Sequence, residues 1–374
     1  MNILVFSWRD PKHPLAGGAE QVMHEHMKGW IEKGHKVSLL SSRFSKSKQR
    51  ETIDGVEVVR MGHQYLGVQV AGFFYYLKNK DNFDIVVDQF HGIPFFTPLY
   101  VGKPKMAVLQ EVAREVWLKN PLSIPFKWIV GWIGYFGEFF VFQLYRNTIF
   151  MVGSESARKD LQKMWINQKN ITVIPHGVLL PRKRDNYLLP KNKIKTIVFL
   201  GMMTEDKGIM DALEIFRLLN MKDNYNFWII GRAETITYEN KIKKFVKDNN
   251  MEKKIKFWGF VSQEKKFELL AKSHLLVNPS IREGWGLVNI EANAMGTPVV
   301  AYKYPGLIDS VKSGYSGVFS KKNTAASLAE EIAMLMRDKS GYLKLTRSSK
   351  MWSKKFDWEA SRKMGLKLIN KLVK

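Results

Sequence analysis

The chain has no cysteine among its 374 residues. Disulfide bonds, thiol nucleophiles and cysteine-ligated metal sites are therefore excluded. The sequence also lacks an Asp-x-Asp pair and a His-Glu-x-x-His motif, so we expect no bound metal. Residues 1–7 lack the charged start of a signal peptide and are typical of a strand, which predicts a cytoplasmic protein.

Acidic residues are few compared with basic ones, 35 against 59, which gives a formal net charge of +24. Such a surface favours polyanions: nucleic acid, anionic lipid or nucleotide-linked substrates. The lysines are scattered, and no nucleic-acid recognition motif accompanies them, so specific nucleic-acid binding is not expected. A lysine-rich composition without a special partner is an equally good interpretation.

Strand-like and helix-like segments alternate along the chain, a pattern typical of parallel sheets covered by helices. The charged, proline-bounded stretch 181–195 predicts a linker, after which the alternation restarts. Two α/β halves imply a cleft between them, which is a common ligand location. The predicted strands are 3–7, 36–40, 56–61, 85–88, 106–109 and 149–153, then 196–200, 227–230, 256–258, 275–278 and 298–301. The predicted helices of the second half are 211–220, 238–249, 264–273, 287–295 and 324–339.

The segment 128–145 is unusually apolar and contains one charged residue, Glu138. Three interpretations remain open. It forms a buried helix or helix pair of the first domain, or an aromatic surface that docks on a bilayer beside Lys127 and Arg146, or a membrane span. Its 18 residues just reach the length of a span, but its three glycines and Glu138 argue against one.

The most informative pattern is the run from Glu283 to Glu291, in which two glycines precede a predicted helix. Carboxylates eight positions apart lie about 80° apart around a helix, so we expect them to share a face near its N-terminus. The glycines expose backbone N–H groups, which suit an anion such as a diphosphate. Since carboxylates would repel that anion, we expect them to bind sugar and ribose hydroxyls. The alternative, acidic residues that favour the helix dipole, explains Glu283 but not the whole block.

Two more glycine-containing turns follow predicted strands. Gly17 and Gly18 open the first helix and can approach a phosphate or sugar closely, or simply permit a tight loop. The loop 201–208 lies at the edge where open α/β sheets bind ligands. Lys207 in this loop and Arg232 after the next strand are candidate cations for a diphosphate, and a solvated loop lysine is the alternative for Lys207.

The histidines give weaker indications. His91 follows a predicted strand at an expected cleft edge, and an ordinary turn histidine is the alternative. We expect His176 at a turn facing the second domain. His24 and His26 are two positions apart in a predicted helix, so they point to different sides, and we interpret them as structural or solvated.

These blocks, in this order, resemble the retaining nucleotide-sugar glycosyltransferases of family 4, which have the GT-B fold. The resemblance runs nearly end to end, with Glu283–Glu291 as its most specific part, and it includes residues 17–20, 152–156, 174–178 and 356–359. It implies an α/β fold of two Rossmann-like parallel-sheet domains facing each other across a cleft. The domains would be an acceptor-side domain at 1–180 with a C-terminal crossing helix at 352–374, a linker at 181–195 and a nucleotide-sugar-binding domain at 196–351.

The resemblance also implies roles for individual residues. Glu283 would contact hydroxyls of the donor sugar, and Glu291 the nucleotide ribose. Lys207 would balance the diphosphate charge as the bond to the anomeric carbon breaks, which needs no metal in this fold. The remaining donor-binding residues would be Gly17, Gly18, Arg232, Gly284, Gly286, Leu287 and Val288.

Two positions depart from the family pattern. Met202 stands where the family usually has an arginine, so one diphosphate cation is missing unless Arg232 or another basic residue substitutes. Gln110 stands where relatives often carry a histidine, and it can hydrogen-bond a sugar hydroxyl but cannot titrate. His91 or Glu111 would then serve nearby, or the leaving phosphate itself would act. The candidate catalytic residues are Glu283, Lys207, His91 and Gln110.

The function implied by the resemblance is transfer of a hexose-type sugar from a nucleotide diphosphate donor, with retention of configuration and without a cofactor. The acceptor would be a glycan or lipid-linked molecule of cell-surface polysaccharide synthesis. The basic charge and the aromatic segment favour a peripheral location on the inner face of an anionic membrane. The alternative, favoured by Met202 and Gln110, is a catalytically weak or inactive relative that binds nucleotide sugar or glycan as a partner subunit.

Overall fold

The computed structural model describes residues 1–64, 66–90, 93–120, 122–178 and 189–373. The chain divides into two compact units. Unit 1 comprises Met1–Leu118, Trp128–Gly177 and Asp357–Lys374, and unit 2 comprises Lys119–Lys127 and Val178–Phe356. Each unit contains one sheet with helices, so the α/β class predicted from the alternation is confirmed.

The sheet of unit 1 has eight strands in the order β3-β4-β2-β1-β5-β6-β7-β8. Neighbouring strands are parallel except β3 and β4, an antiparallel pair joined by a two-residue turn at Asp54 and Gly55. The sequence prediction missed β3, which is polar and lies at the edge, and β8, which has three residues. The strands are β1 (Asn2–Phe6), β2 (Lys36–Ser41), β3 (Arg50–Ile53), β4 (Val56–Arg60), β5 (Ile85–Phe90), β6 (Lys105–Leu109), β7 (Ile149–Val152) and β8 (Ile171–Val173).

Two of the helices of unit 1 pack together although they lie at opposite ends of the chain. Helix α1 buries Met23, Met27 and Trp30 against the sheet, and α12 packs on α1 through an ion pair of Arg362 with Glu25. The C-terminal segment therefore belongs to the first unit. The helices are α1 (Gly18–Ile31), α2 (Gly67–Asn79), α3 (Phe126–Leu144), α4 (Glu155–Lys163) and α12 (Trp358–Val373).

Helix α3 covers the apolar segment noted in the sequence, and its two faces differ. Gly131, Glu138 and Phe142 are buried on one face. The Glu138 carboxylate accepts backbone hydrogen bonds from Ala113 N at 2.7 Å and Arg114 N at 2.8 Å, which explains a charge in this segment. The opposite face is exposed, so the interpretation as a buried helix is wrong for that face. Among the described residues, no helix is long and apolar enough to cross a membrane.

The sheet of unit 2 has six parallel strands in the order β11-β10-β9-β12-β13-β14. Five of them were predicted, and the missed strand β14 has three residues at the sheet edge. The core on one side consists of β9, β10 and α5 side chains such as Phe199, Phe216 and Phe227. The strands are β9 (Lys195–Leu200), β10 (Tyr225–Ile230), β11 (Ile255–Gly259), β12 (Leu275–Asn278), β13 (Val299–Ala301) and β14 (Gly317–Phe319).

Helices follow the strands of unit 2 as the alternation predicted. The predicted linker 181–195 falls partly outside the described residues, which resume at Leu189. Lys191 then donates hydrogen bonds to Ser273 O at 2.6 Å and Thr297 Oγ1 at 2.8 Å, so this end of the segment is fixed to unit 2. The helices are α5 (Ile209–Asn220), α6 (Ile236–Asp248), α7 (Gln263–Lys272), α8 (Leu287–Ala294), α9 (Leu307–Ser310), α10 (Ala325–Arg337) and α11 (Lys339–Ser353).

Candidate functional site

The carboxyl ends of β9 and β10 approach each other closely at one edge of the unit 2 sheet. Gly201 N donates to Ile230 O at 3.0 Å, and a Cβ on Gly231 would lie 1.9 Å from Gly201 O. Arg232 follows, and its guanidinium carbon lies 4.9 Å from the ring centre of Phe260, which comes after β11. Arg232 is exposed, so this predicted cation lies at the carboxyl edge of the sheet, stacked on an aromatic ring.

The loop that carries Lys207 is fastened to the loop after β12. Asp206 O accepts a hydrogen bond from Ile281 N at 2.9 Å. Gly208 has a φ of 70° and precedes α5, and a Cβ there would lie 2.3 Å from Pro279 O. A residue with a side chain would both clash with this carbonyl and occupy a left-handed conformation. The backbone position of Lys207 is therefore set by its neighbours.

Lys207 and Glu283 form an ion pair, with 3.0 Å between Nζ and Oε2. Both side chains are partly exposed, 26% for Lys207 and 17% for Glu283. Asp206 Oδ2 lies further from the same ammonium, at 3.9 Å. Gly284 follows Glu283 in the same loop and is half-buried. The structure thus brings together two of the residues that the sequence singled out for the same ligand.

Glu283 lies in a loop and not on a helix. Helix α8 begins at Leu287. Glu283 lies in the loop before this helix, and its backbone N–H donates a hydrogen bond to Pro305 O at 3.4 Å. The expectation that Glu283 and Glu291 share one helix face is therefore wrong. The reason is Gly286, whose φ of 79° places a left-handed residue directly before the helix, three positions after Glu283.

Helix α8 begins without a capping side chain, because its N-cap residue is Gly286. Leu287 and Val288 in its first turn are half-buried, and their backbone N–H groups receive no cap from the side chain of the N-cap residue. A Cβ on Gly286 would lie 2.8 Å from Asn289 Nδ2 and 2.9 Å from Ser310 Oγ. A helix N-terminus of this kind, after a parallel strand, suits an anionic ligand.

A chain of buried polar side chains fixes α8 against the sheet. Asn278 Nδ2 donates to Asn289 Oδ1 at 2.8 Å, and Asn289 Nδ2 donates to Ser310 Oγ at 2.9 Å. All three side chains are buried. The sequence analysis did not identify them. The only signal in the sequence was a polar residue within an otherwise apolar strand or helix, and this pattern does not show which other side chain it would contact.

Glu291 on α8 forms a buried ion pair with Lys266 on α7. The distance from Lys266 Nζ to Glu291 Oε1 is 2.6 Å, and the side chains are 13% and 6% exposed. Lys266 was missed by the sequence analysis because nothing in its spacing relates it to Glu291. One carboxylate oxygen of Glu291 is therefore held by an ammonium, and this fixes the direction of the side chain.

The carboxyl edge of the unit 2 sheet therefore combines cations and helix N-termini. Lys207 and Arg232 follow β9 and β10, and α5 and α8 begin after β9 and β12. Such an edge suits a phosphate or diphosphate, because the Lys207 ammonium, the Arg232 guanidinium and the backbone N–H groups all stabilise negative charge. Glu283 and Glu291 add carboxylate oxygens that can accept hydrogen bonds from hydroxyl groups.

Gly17 and Gly18 lie at the start of α1 in unit 1. Gly17 N donates to the buried carboxylate of Glu20 at 2.7 Å, and Gly17 has a φ of −139°, which any residue can adopt. A Cβ on Gly17 would make an ordinary contact, 3.8 Å from Glu20 Oε2. Neither the φ of Gly17 nor these contacts require glycine. Both glycines are exposed, which leaves room for close approach of a ligand.

Gln110, which follows β6, is held by a buried histidine. His176 Nε2 lies 3.0 Å from Gln110 Oε1. Burial, and then the nearby His26, lower the pKa of His176 to about 3, so its ring is neutral and we assign the proton to Nε2, which donates to Gln110. His176 also stacks on Trp358, with 6.4 Å between ring centres. His176 is buried, and Gln110 and Trp358, which it contacts, belong to unit 1. The expectation that it faces the second domain stays a prediction.

The remaining candidate, His91, lies outside the described residues, in the gap between Phe90 and Ile93. Among the described residues, no group of three or more His, Cys, Asp or Glu side chains is arranged to hold a metal ion. His24 and His26 are structural, as interpreted from the sequence: His24 Nε2 lies 2.9 Å from Asp54 Oδ2, and His26 is fully buried beside α12.

Comparison with known proteins places both parts of the chain in one group. Residues 16–180 match the family model described as Glycosyltransferase Family 4, and residues 182–353 match the model described as Glycosyl transferases group 1. The capsular polysaccharide biosynthesis glycosyltransferase CapM of Staphylococcus aureus is 29% identical over 204 residues, which cover 50% of this chain and 52% of CapM. The chain spans about half the length of the curated relatives it matches.

Solved structures show the same fold at low sequence identity. Sucrose-phosphate synthase of Thermosynechococcus elongatus superposes with a TM-score of 0.80 at 18% identity, covering 99% of this chain and 98% of that chain. HepE of Anabaena, in complex with UDP and glucose, gives 0.74 at 16% identity and covers 100% of both chains. Both family models and the two-sheet architecture agree with the resemblance seen in the sequence. The chain belongs to glycosyltransferase family 4 and has the GT-B fold.

Proposed function

We propose that this protein transfers a hexose from a nucleotide diphosphate sugar to a glycan or lipid-linked acceptor, with retention of configuration. The observation that carries the proposal is the Lys207–Glu283 pair at the carboxyl edge of the unit 2 sheet. An ammonium and a carboxylate 3.0 Å apart suit a ligand that carries both an anion and hydroxyl groups. A nucleotide diphosphate sugar is such a ligand.

Donor binding would redistribute the contacts of this ion pair. The diphosphate would attract Lys207 and the N-terminus of α8, and Glu283 would then accept hydrogen bonds from the sugar hydroxyls. Glu291, oriented by Lys266, would accept a hydrogen bond from the ribose. Arg232 would supply the second cation that Met202 cannot supply. These assignments rest on the observed positions together with the family resemblance.

In the transfer step, the bond between the anomeric carbon and the diphosphate oxygen breaks, and its electron pair stays on that oxygen. Lys207 stabilises the charge that develops there. The acceptor hydroxyl oxygen bonds to the anomeric carbon on the same face. The proton of this hydroxyl passes to the leaving phosphate, because Gln110 cannot take up a proton. His91 is the alternative proton acceptor. This step requires neither a metal ion nor another cofactor.

The relatives support the choice of substrates for the first assay. HepE was crystallised with UDP and glucose, so uridine diphosphate sugars are the first donors to test. CapM is described as a capsular polysaccharide biosynthesis enzyme, which favours an acceptor of cell-surface polysaccharide synthesis. We also propose that the protein works on the inner face of an anionic membrane, where lipid-linked acceptors are available.

A donor screen with the purified chain tests this function. Uridine, guanosine and adenosine diphosphate sugars are compared by thermal shift, since a bound ligand raises apparent stability. Hydrolysis and transfer of the best donor are then measured for wild type, Lys207→Met, Glu283→Gln and Glu291→Ala. Glu268→Ala, which removes a carboxylate of an exposed ion pair on α7, is the matched control.

We expect Lys207→Met to lose at least about a hundredfold in kcat/KM, the size of effect seen when one charge-stabilising group is removed. Glu283→Gln and Glu291→Ala should also lower kcat/KM, because each weakens a charge-assisted hydrogen bond to a substrate hydroxyl, and Glu268→Ala should be unchanged. Normal turnover by Lys207→Met would contradict the assignment of Lys207. Donor binding by calorimetry without transfer to any acceptor would favour the alternative, an inactive binding subunit, for which Gln110 and Met202 are the motivating residues.

A further inference from the structure

Helix α3 exposes an apolar face that the sugar-transfer chemistry does not use. All the exposed residues from 128 to 144 are apolar. An ordinary surface helix has polar side chains on its outer face, so this face is unusual for one that meets only water. The outer face consists of Trp128, Ile129, Val130, Trp132, Ile133, Phe136, Phe140 and Leu144.

The helical spacing makes this face continuous. Ile129, Ile133, Phe136 and Phe140 are separated by four, three and four positions, so they form one stripe along the helix. The buried residues lie roughly opposite on the helix. Their contacts hold α3 on unit 1 by its inner face, and the stripe faces outward along the helix length.

The exposed apolar area is large. Phe136 is 62% exposed and Phe140 68% exposed, while Trp128 and Trp132 are each about half exposed. At roughly 200 Å² for a whole aromatic side chain, these four alone expose on the order of 450 Å². The largest apolar patch of a typical monomer reaches only about 300–600 Å² in total, and patches of this size mark interaction sites.

Trp165 extends the apolar stripe at its C-terminal half. It is 73% exposed, and its ring centre lies 5.1 Å from that of Phe139 on α3. Tryptophan is enriched where proteins meet the bilayer interface, because its ring is apolar and its N–H is polar. With Trp128 and Trp132, this gives three exposed tryptophans along one apolar surface.

Two basic residues lie beside the C-terminal end of the apolar stripe. Arg146 lies just after α3, and its carbonyl accepts a hydrogen bond from Asn170, the neighbour of Lys169. Arg146 and Lys169 are exposed, and neither forms an ion pair with another described residue. Each basic residue near an anionic bilayer contributes about 1 kcal/mol of attraction, and the whole chain carries a net charge of +24.

We propose that the outer face of α3, with Trp165, Arg146 and Lys169, docks on an anionic lipid surface with the helix lying in the membrane plane. A second copy of the chain fits less well, because two surfaces with the same positive charge would meet. The inference extends the proposed function, since a lipid-linked acceptor would be reached from this surface.

Co-sedimentation with lipid vesicles tests the proposal. The full chain, without donor or acceptor, is mixed with vesicles of phosphatidylcholine, or of phosphatidylcholine with phosphatidylglycerol. Phe136→Ser with Phe140→Ser removes the apolar contact, and Met221→Ser with Ile236→Ser removes equally exposed apolar residues from unit 2. Arg146→Glu with Lys169→Glu tests the charge, and Lys253→Glu with Lys322→Glu changes the net charge equally at exposed positions elsewhere.

We expect the wild type to bind the anionic vesicles at least about tenfold more tightly than the neutral ones, and each α3-surface variant to lose at least about tenfold in affinity. The two control variants should bind as the wild type does. Absent binding, equal binding to both vesicles, or binding unchanged in the α3-surface variants would overturn the proposal. So would a dimer, seen by light scattering, that the Phe136→Ser, Phe140→Ser variant abolishes.

A second measurement does not depend on loss of binding. Because the chain has no cysteine, Ile133→Cys provides a single attachment point for a polarity-sensitive dye on the α3 surface. Anionic vesicles should shift its emission to shorter wavelength, and a dye at Ile236→Cys should not respond. An unresponsive dye at position 133 would contradict the docking. Vesicle binding without any sugar transfer would count against the proposed function alone.

Discussion

Replacing Lys266 by methionine would remove the ammonium that lies 2.6 Å from Glu291 Oε1. The side chain of Glu291 is 6% exposed, so its carboxylate would remain largely shielded from water after the substitution. Removing one partner of a buried ion pair costs about 3–5 kcal/mol, because the other charge stays buried without compensation. We expect Lys266→Met to reduce the local free energy of unfolding of α7 and α8 by about this amount.

Lys272→Met on the same helix is the matched control. Lys272 Nζ lies 2.7 Å from Glu268 Oε1, but the side chains are 36% and 30% exposed. An exposed pair of this kind contributes about 0–1 kcal/mol, so the two substitutions remove the same chemical group and differ in burial. Adding Glu291→Leu to Lys266→Met should recover most of the loss, because no buried charge is left.

Hydrogen–deuterium exchange is the suitable assay, because the two units can unfold separately and a single denaturation curve would mix them. A loss of 3 kcal/mol corresponds to roughly a hundredfold faster exchange through local opening. Peptides from α7 and α8 should show this change in Lys266→Met, and much less in Lys272→Met. Equal exchange in the two variants would refute the reasoning that burial makes the Lys266–Glu291 pair important.

Three other changes test separate parts of the structure. Gly286→Ala puts a methyl group 2.8 Å from Asn289 Nδ2 at a φ of 79°, so it should cost at least about 1–2 kcal/mol in a denaturation experiment and weaken donor binding measured by calorimetry. Glu138→Ala leaves two backbone N–H groups after β6 without their acceptor, so their hydrogen exchange should become faster while that of α7 does not. Burial lowers the pKa of His26 to about 4 and of His176 to about 3. These histidines therefore take up protons at a higher pH in the unfolded chain than in the folded one, so unit 1 should lose stability as the pH falls from about 6.5 towards 4. His26→Phe should reduce that pH dependence in thermal unfolding, and an unchanged slope would contradict the argument.

The strands and helices that the sequence predicted correctly have strong local patterns. The apolar strands β5, β9 and β12 could be identified because burial on both faces of a parallel sheet requires continuous apolar runs. Strands β3, β8 and β14 escaped prediction, because three or four residues at or near a sheet edge carry too little periodicity.

For the candidate site, the sequence identified residues but not their arrangement. Glycines and charged residues at strand ends indicated Lys207, Arg232 and Glu283. Their spacing also gave a wrong geometry, since Glu283 lies in a loop before α8. The helix begins directly after Gly286, which lies beside Ser310 of α9, and this contact with a distant segment is contained in no local pattern.

What the sequence by itself determined is the class of the protein: alternating α/β segments, two sheets, a basic surface and the Glu283–Glu291 block. The tertiary structure decided which charges meet, pairing Lys207 with Glu283 and Lys266 with Glu291. It also decided that α3 turns an aromatic face outward. The physical reason is that periodicity specifies which side of an element is apolar, while ion pairs and exposure depend on distances between segments far apart in the chain.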